Sequence, residues 1–183
     1  ATRLARRVNG RVVLSPELLD LVTALVESPH ALLGGFDPAY LQMPTEVLIA
    51  SMRDHQKYFH VTDEAGHLLP HFITVSNIPL TRSCRVRVGN ERVLKARLDD
   101  ARFFLEADRQ HTLEQRLADL KGVLFHRELG SLFDKSLRLE TLASAIAGAL
   151  HVSPKGPARA ARLAKTDLVS SMVGEFPELQ GIM

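Results

Sequence analysis

Lys57-Tyr58-Phe59-His60-Val61-Thr62, then Asp63-Glu64-Ala65-Gly66, then Phe72-Ile73-Thr74-Val75 reads as strand, turn and returning strand. Aromatic and β-branched side chains favour extended backbone, and a short turn ending in Gly between two such runs marks a hairpin. Upstream the period is helical. Ser15-Pro16-Glu17 supplies an N-cap, a proline at the first helical position and an acid at the positive end of the dipole. Leu18, Leu19, Val22, Leu25 and Val26 then line one helical face, which Ser28-Pro29 ends. Ala31-Leu32-Leu33 reads as a short buried strand closed by Gly34-Gly35, and a second helix starts at Pro44 with Val47, Leu48 and Met52.

Downstream of Arg85-Val86-Arg87-Val88 the character turns helical and stays so. Gly89-Asn90 reads as a turn and an N-cap, followed by Leu94, Leu98, Ala101 and Leu105 at helical spacing. Leu113, Leu117 and Leu120 mark another helix, and Leu139, Leu142, Ala143, Ile146 and Leu150 mark a third. Ser153-Pro154-Lys155-Gly156-Pro157 breaks it, and Ala158 to Val173 reads as a last helix, with Pro177 in a loop beyond. The expected fold class is α+β and helix-rich. A small mixed α/β part with a β-hairpin spans residues 1–88, and an all-α region spans residues 89–183.

The chain has 183 residues, 45% of them hydrophobic and 24% charged, the balance of an ordinary globular protein. No apolar run approaches the roughly 20 residues that cross a bilayer, and the basic start lacks the apolar core of a secretory signal. The single cysteine, Cys84, forms no internal pair, which fits a reducing cytosol and a cytoplasmic location. The formal charge of +2 excludes a strongly basic nucleic-acid coat and leaves room for local patches. Two stretches are basic without acids: Arg3, Arg6, Arg7 and Arg11 ahead of Glu17, and Lys155 through Arg159 and Arg162 to Lys165. Between them, Glu91 to Arg138 mixes ten basic residues with nine acids, as solvated helix faces do.

Known catalytic patterns are weak. Gly34-Gly35 lacks the Lys-Ser/Thr of a phosphate loop, and there is no Gly-x-Ser-x-Gly. Cys84 sits among arginines, which favour a thiolate, yet a lone cysteine is more commonly a small packed residue. His55, His60, His67 and His71 cluster around the hairpin without carboxylates at matching positions, so a half-exposed polar surface accounts for them better than a metal. His126 and Lys165-Thr166-Asp167-Leu168 suggest the spacing of helical His-Asp phosphohydrolases. There the histidine of the pair is replaced by Thr166, a poor metal ligand.

Longer strings carry a resemblance. Pro44-Thr-Glu-Val-Leu-Ile-Ala-Ser-Met-Arg-Asp-His-Gln-Lys-Tyr-Phe59, Leu69-Pro-His-Phe-Ile-Thr-Val-Ser-Asn-Ile78 and Gly89-Asn-Glu-Arg-Val-Leu-Lys-Ala-Arg-Leu-Asp-Asp-Ala-Arg-Phe-Phe104 strongly resemble the β subunit of bacterial-type glycyl-tRNA synthetase. So do Leu129-Gly-Ser-Leu-Phe-Asp-Lys-Ser-Leu-Arg138, Lys165-Thr-Asp-Leu168 and Gly174-Glu-Phe-Pro-Glu-Leu-Gln-Gly-Ile182. The resemblance implies an internal fragment of a longer chain, with the anticodon-binding domain beyond Met183. It implies an α2β2 assembly in which the α subunit makes glycyl-adenylate from glycine, ATP and magnesium while β holds the glycine tRNA. Residues 1–88 would be the C-terminal part of a B3/B4-like module, similar to that of phenylalanyl-tRNA synthetase. Residues 89–183 would begin a degenerate HD-like helical domain.

On this reading the fragment has no catalytic residue, metal ligand or cofactor of its own, and RNA contacts fall to its cations. The candidates are Arg53, His55 and Lys57, where a helix runs into a strand, and Arg159, Arg162 and Lys165, spaced to share a helix face. Tyr58 and Phe59 beside the first group suit either base stacking or the core. The alternatives are a metal-dependent HD-type phosphohydrolase and a scaffold that contacts the α subunit without touching RNA.

Overall fold

A computed structural model describes residues 1–79 and 83–183, with the backbone alone at 83 and 84. The side chain of Cys84, weighed above as a nucleophile, therefore lies outside the described residues. The chain forms two compact units, Ala1–Phe103 and Phe104–Met183.

The first unit contains α1 (Thr2–Ala5), β1 (Arg11–Val12), α2 (Pro16–Leu25), β2 (His30–Gly35), α3 (Thr45–Ala50), β3 (Phe59–Thr62), β4 (Leu68–Ser76) and most of α4 (Ser83–Asp108). The capping expected of α2 is present: the Ser15 hydroxyl accepts the Leu18 N–H at 3.2 Å, with Pro16 in the first turn. The expected hairpin is β3–β4, and Ala31-Leu32-Leu33 lies in β2, which pairs with β4. All pairings are antiparallel in the order β1-β3-β4-β2.

Both sheet faces are covered. Strand side chains alternate between faces, so Phe59, Val61 and Ile73 pack on one side with Ala5, Leu18 and Val22. On the other side Tyr58 stacks on Phe72 with ring centroids 4.6 Å apart, and the Tyr58 hydroxyl donates to Asn90 Oδ1 of α4 at 2.6 Å. The Tyr40 hydroxyl donates to Asp99 of the same helix at 2.5 Å, and Glu91 accepts the Gly35 N–H at 3.1 Å. Leu94, Leu98 and Ala101 are wholly buried, as their spacing predicts. Gly34 is fixed by contact: a Cβ there would run into the Phe72 ring.

Gly89 and Asn90 do not start a helix; they lie inside α4, which begins at Ser83. Asn90 serves as an interior tie. Its amide donates to the Val86 carbonyl at 2.7 Å while its oxygen takes the Tyr58 hydroxyl. A residue with strong capping preference is thus held mid-helix by a buried tyrosine.

The second unit continues α4 and adds α5 (Leu113–Arg116), β5 (Leu124–His126), β6 (Gly130–Ser131), α6 (Leu132–Ala149), α7 (Lys155–Leu163) and α8 (Ser171–Glu175). It is helical except for the two-stranded β5–β6 ladder, which the helical reading of this half omits. Thr112 with Gln115, and Ser131 with Asp134, form capping boxes that start α5 and α6. The expected helix from Ala158 to Val173 is three pieces: α7 ends at Leu163, a 3-10 turn covers Thr166–Val169, and Ser170 caps α8 through the Val173 N–H. The breaker ends α6 as expected, with His151 left-handed at φ 54 and Val152 N–H bonded to the Ala147 carbonyl. Ser136 and Ala147 are the buried α6 residues beyond Leu132, whereas Leu142, Ile146 and Leu150 stand 58%, 59% and 67% exposed. Their apolar period is genuine; among the described residues nothing buries it.

Candidate nucleic-acid interface

Arg53, His55 and Lys57 sit on a segment whose backbone departs from regular helix. After α3 the chain widens into a π-turn over Ser51–His55, and Lys57 then adopts φ 59. The Lys57 N–H bonds to the Arg53 carbonyl at 3.2 Å and the Tyr58 N–H to the Met52 carbonyl at 2.8 Å. This left-handed cap reverses the chain and sends Tyr58 and Phe59 inward, where they are 4% and 2% exposed. The two aromatics are therefore core residues and present no stacking surface. The cations stay outside: Arg53 and Lys57 are exposed and His55 is half-buried.

Asp54 organises this group. Arg53 donates to both of its carboxylate oxygens, at 2.8 and 2.9 Å, and the Lys57 ammonium donates to its carbonyl at 2.5 Å. Beside them is a groove of about 350 Å³ reaching Ser15 and Glu17 at the start of α2. On the adjacent strand, burial and then the charge of Arg53 hold the His60 imidazole below its ordinary value.

Arg159 and Arg162 lie one turn apart on α7, a helix with no buried residue. Each rests on an acid from elsewhere in the second unit. The Arg159 Nε donates to Glu114 of α5 at 3.0 Å, and Arg162 reaches Glu140 of α6 at 3.4 Å. The hydrogen bond from Arg159 holds the Glu114 carboxyl below its usual range. Lys165 lies past the end of α7, heading the 3-10 turn, so the helix that was to align it with the two arginines stops two residues short. Lys165 is half-buried and has no ion pair among the described residues.

The basic amino-terminal stretch forms a third group. Arg3, Arg6 and Arg7 are exposed, and Arg6 and Arg11 line a cleft of about 850 Å³ with Thr2, Asn9 and Glu64.

The Thr166 hydroxyl and one carboxylate oxygen of Asp167 are taken up by bonds to the backbone, while the other, Oδ1, is buried without a hydrogen-bond partner among the described residues. The Thr166 hydroxyl donates to the Leu163 carbonyl at 2.8 Å, and Asp167 Oδ2 accepts the Gly181 N–H at 2.7 Å. His126 stands exposed on β5, its Nδ1 accepting the Glu128 N–H at 3.2 Å. Among the described residues no group of three or more His, Cys, Asp or Glu side chains is placed to hold a metal ion. None of their helices is long and apolar enough to cross a membrane.

Arg92 and Lys95, which are not among the candidate cations above, border a cleft at the end of β2. They lay in the mixed-charge stretch read as a solvated helix face. The available signal was spacing: Arg85, Arg92, Lys95 and Arg102 recur at intervals that put four cations on one side of a helix.

Comparison with known proteins assigns the class. The family model described as "Glycyl-tRNA synthetase beta subunit" matches residues 1–183, and the chain belongs to that family. It is 49% identical to the glycine–tRNA ligase beta subunit of Marinobacter nauticus over 97% of this chain and 26% of that protein. The corresponding protein of Aromatoleum aromaticum is 53% identical over 91% of this chain and 24% of its own length. That of Hahella chejuensis is 47% identical over 98% of this chain and 26% of its length. The chain thus spans about a quarter of the length of the curated relatives it matches.

Proposed function

We propose that this chain is a non-catalytic segment of the β subunit of a glycine–tRNA ligase, helping to bind and position tRNA and to support assembly of the enzyme. The observation that carries the reading is a family match over the whole chain, at about half identity to proteins named for that activity. The enzyme attaches glycine to its tRNA with ATP and magnesium acting through the α subunit of an α2β2 assembly, in the cytoplasm. Residues 1–88 then belong to a B3/B4-like module and residues 89–183 to a degenerate HD-like domain. In support of degeneracy, Thr166 and the Gly181-bonded oxygen of Asp167 are engaged in holding the backbone.

RNA recognition here rests on charge without base stacking by Tyr58 or Phe59. Arg53, His55 and Lys57 form one cationic group, and Arg159, Arg162 and Lys165 the other. The arginines are held in place by acids yet remain solvated, with Arg159 73% exposed in its side chain. Exposed ion pairs are weak, contributing about 0–1 kcal/mol, so a phosphate can displace the acid partner. Each phosphate neutralised releases counterions and adds ~0.9 to the slope of log affinity against log salt.

The test is a salt-titrated filter-binding assay of the whole β subunit with glycine tRNA and an unrelated tRNA. Arg159→Ala with Arg162→Ala is expected to weaken binding and flatten the salt slope by roughly 1–2. An unchanged slope overturns the RNA role of α7. Turnover of a generic phosphodiester that stops with a chelator would favour the phosphohydrolase reading.

A further inference from the structure

A cleft of about 660 Å³ lies between the end of β2 and α4, within the first unit. The apolar part is formed by Phe36, Pro38 and Tyr40 from the segment leaving β2 with Pro70 of β4 and Val88 of α4, and His71, Asp37 and Glu91 add polar groups to the lining. Arg92 and Lys95 of α4 form the remaining edge. This is the size and composition of a small-ligand site: mostly apolar, with a few charged groups to one side.

The acids at the cleft are already engaged. Glu91 accepts the Gly35 N–H at 3.1 Å and faces Arg87 at 3.9 Å. Asp37 caps the following 3-10 turn through the Ala39 N–H at 2.9 Å. Asp99, just beyond, takes the Tyr40 hydroxyl together with Lys95 at 2.6 Å and Arg102 at 2.9 Å. Arg92 is exposed and has no ion pair among the described residues. From Arg85 to Arg102 the helix carries six cations against three acids. Lys95 is held by Asp99, so Arg92 is the cation at the edge of the apolar cleft that is open to an anion.

We propose that this cleft takes one unstacked nucleotide of bound RNA, its base against the Phe36, Pro38 and Val88 surface and its phosphate at Arg92. The proposal rests on the RNA-binding reading above and adds a base pocket to it. An unpaired base offers the flat apolar face such a wall accepts whatever its identity, and the attached phosphate supplies the negative charge. A purely apolar partner helix would leave Arg92 unanswered.

The test uses the whole β subunit in complex with its α partner and a transcript of glycine tRNA, titrated over salt. Arg92→Ala is expected to weaken binding about five- to tenfold and lower the salt slope by ~1. Phe36→Ala is expected to weaken it about tenfold with the slope unchanged, since it removes contact without charge. Phe36→Leu, which keeps apolar bulk and the fold while removing the ring, is expected to fall between wild type and Phe36→Ala. Wild-type affinity in both Arg92→Ala and Phe36→Leu overturns the proposal, as does a slope change in Arg92→Ala with no effect of either Phe36 variant. Loss of α-subunit association with unchanged tRNA affinity also overturns it, making the cleft a protein contact. If Arg159→Ala with Arg162→Ala still weakens binding in those cases, the wider RNA reading survives. A wild-type protein that binds no tRNA removes both.

Discussion

Asp108 accepts the Arg116 guanidinium at 2.7 Å while its two carboxylate oxygens take the Ser171 and Met172 N–H groups at 2.8 and 2.7 Å. One carboxylate at the end of α4 thereby holds α5 and the start of α8. Arg116 also donates to the Asp108 and Val169 carbonyls, at 3.2 and 3.1 Å. The side chains are only 10% and 12% exposed, so removing either partner leaves a charge in a poorly hydrated site. Arg116→Ala is expected to destabilise the second unit by about 3–5 kcal/mol, read by urea denaturation. Arg116→Lys should recover little of this, because a single ammonium cannot reproduce the guanidinium fork.

Glu114 restrains Arg159, which gives a substitution of opposite sign to the usual charge deletion. Glu114→Gln keeps the shape of the side chain and removes its charge. Stability should be little changed, as expected of an exposed pair. If Arg159 contacts phosphate, tRNA affinity should rise, with a steeper salt dependence, because the arginine no longer has to leave an acid. Filter binding at two salt concentrations checks this, and equal or weaker binding in Glu114→Gln would count against the contact.

Lys57 combines a backbone requirement with a charge, and the two separate by substitution. Its φ of 59 lies in the left-handed region, which disfavours residues with a Cβ by roughly 1–2 kcal/mol. Lys57→Gly should stabilise the first unit by about 1 kcal/mol, and Lys57→Val should destabilise it by more than that, both measured by thermal melting. Weakened tRNA binding in the stabilised Lys57→Gly protein would then isolate the contribution of the ammonium.

The β3–β4 hairpin, the Ser15-capped helix and the Leu94–Leu98–Ala101 face were legible because each is encoded within a few residues. The misread elements depend on partners distant in sequence. Asn90 looks like a cap until Tyr58, 32 positions away, supplies its hydrogen bond. Leu142, Ile146 and Leu150 have the period of a core face, yet α6 is buried through Ser136 and Ala147. The candidate cations were found as charges, but their pairing with Asp54, Glu114 and Glu140 was invisible without the fold, as was the break before Lys165. Tyr58 and Phe59 show the converse: aromatic character left stacking or core open, and the left-handed turn at Lys57 put them inside.

His60 shapes the acid edge of stability in the first unit, and Tyr58 together with Tyr40 shapes the alkaline edge. Burial, then Arg53, lowers the His60 pKa from its ordinary 6.5. In the unfolded chain the imidazole takes a proton as pH falls through 6.5, while the folded protein delays that protonation to lower pH. The unfolded state then holds more protons, so stability is intact above about 6.5 and declines below it. Asp63, lowered chiefly by the His67 N–H, acts only below the ordinary aspartate value of 3.8 and leaves this window clear. At the other edge, burial raises the Tyr58 hydroxyl to about 12. The unfolded phenol ionises near 10, so stability declines as pH rises past 10. Melting temperature measured from pH 5 to 11 should show both declines. His60→Gln should flatten the acid side alone, and Tyr58→Phe should flatten the alkaline side in part, since burial and then Asp99 also raise the Tyr40 hydroxyl from its ordinary 10. An acid decline of undiminished steepness in His60→Gln would assign that edge to a different group.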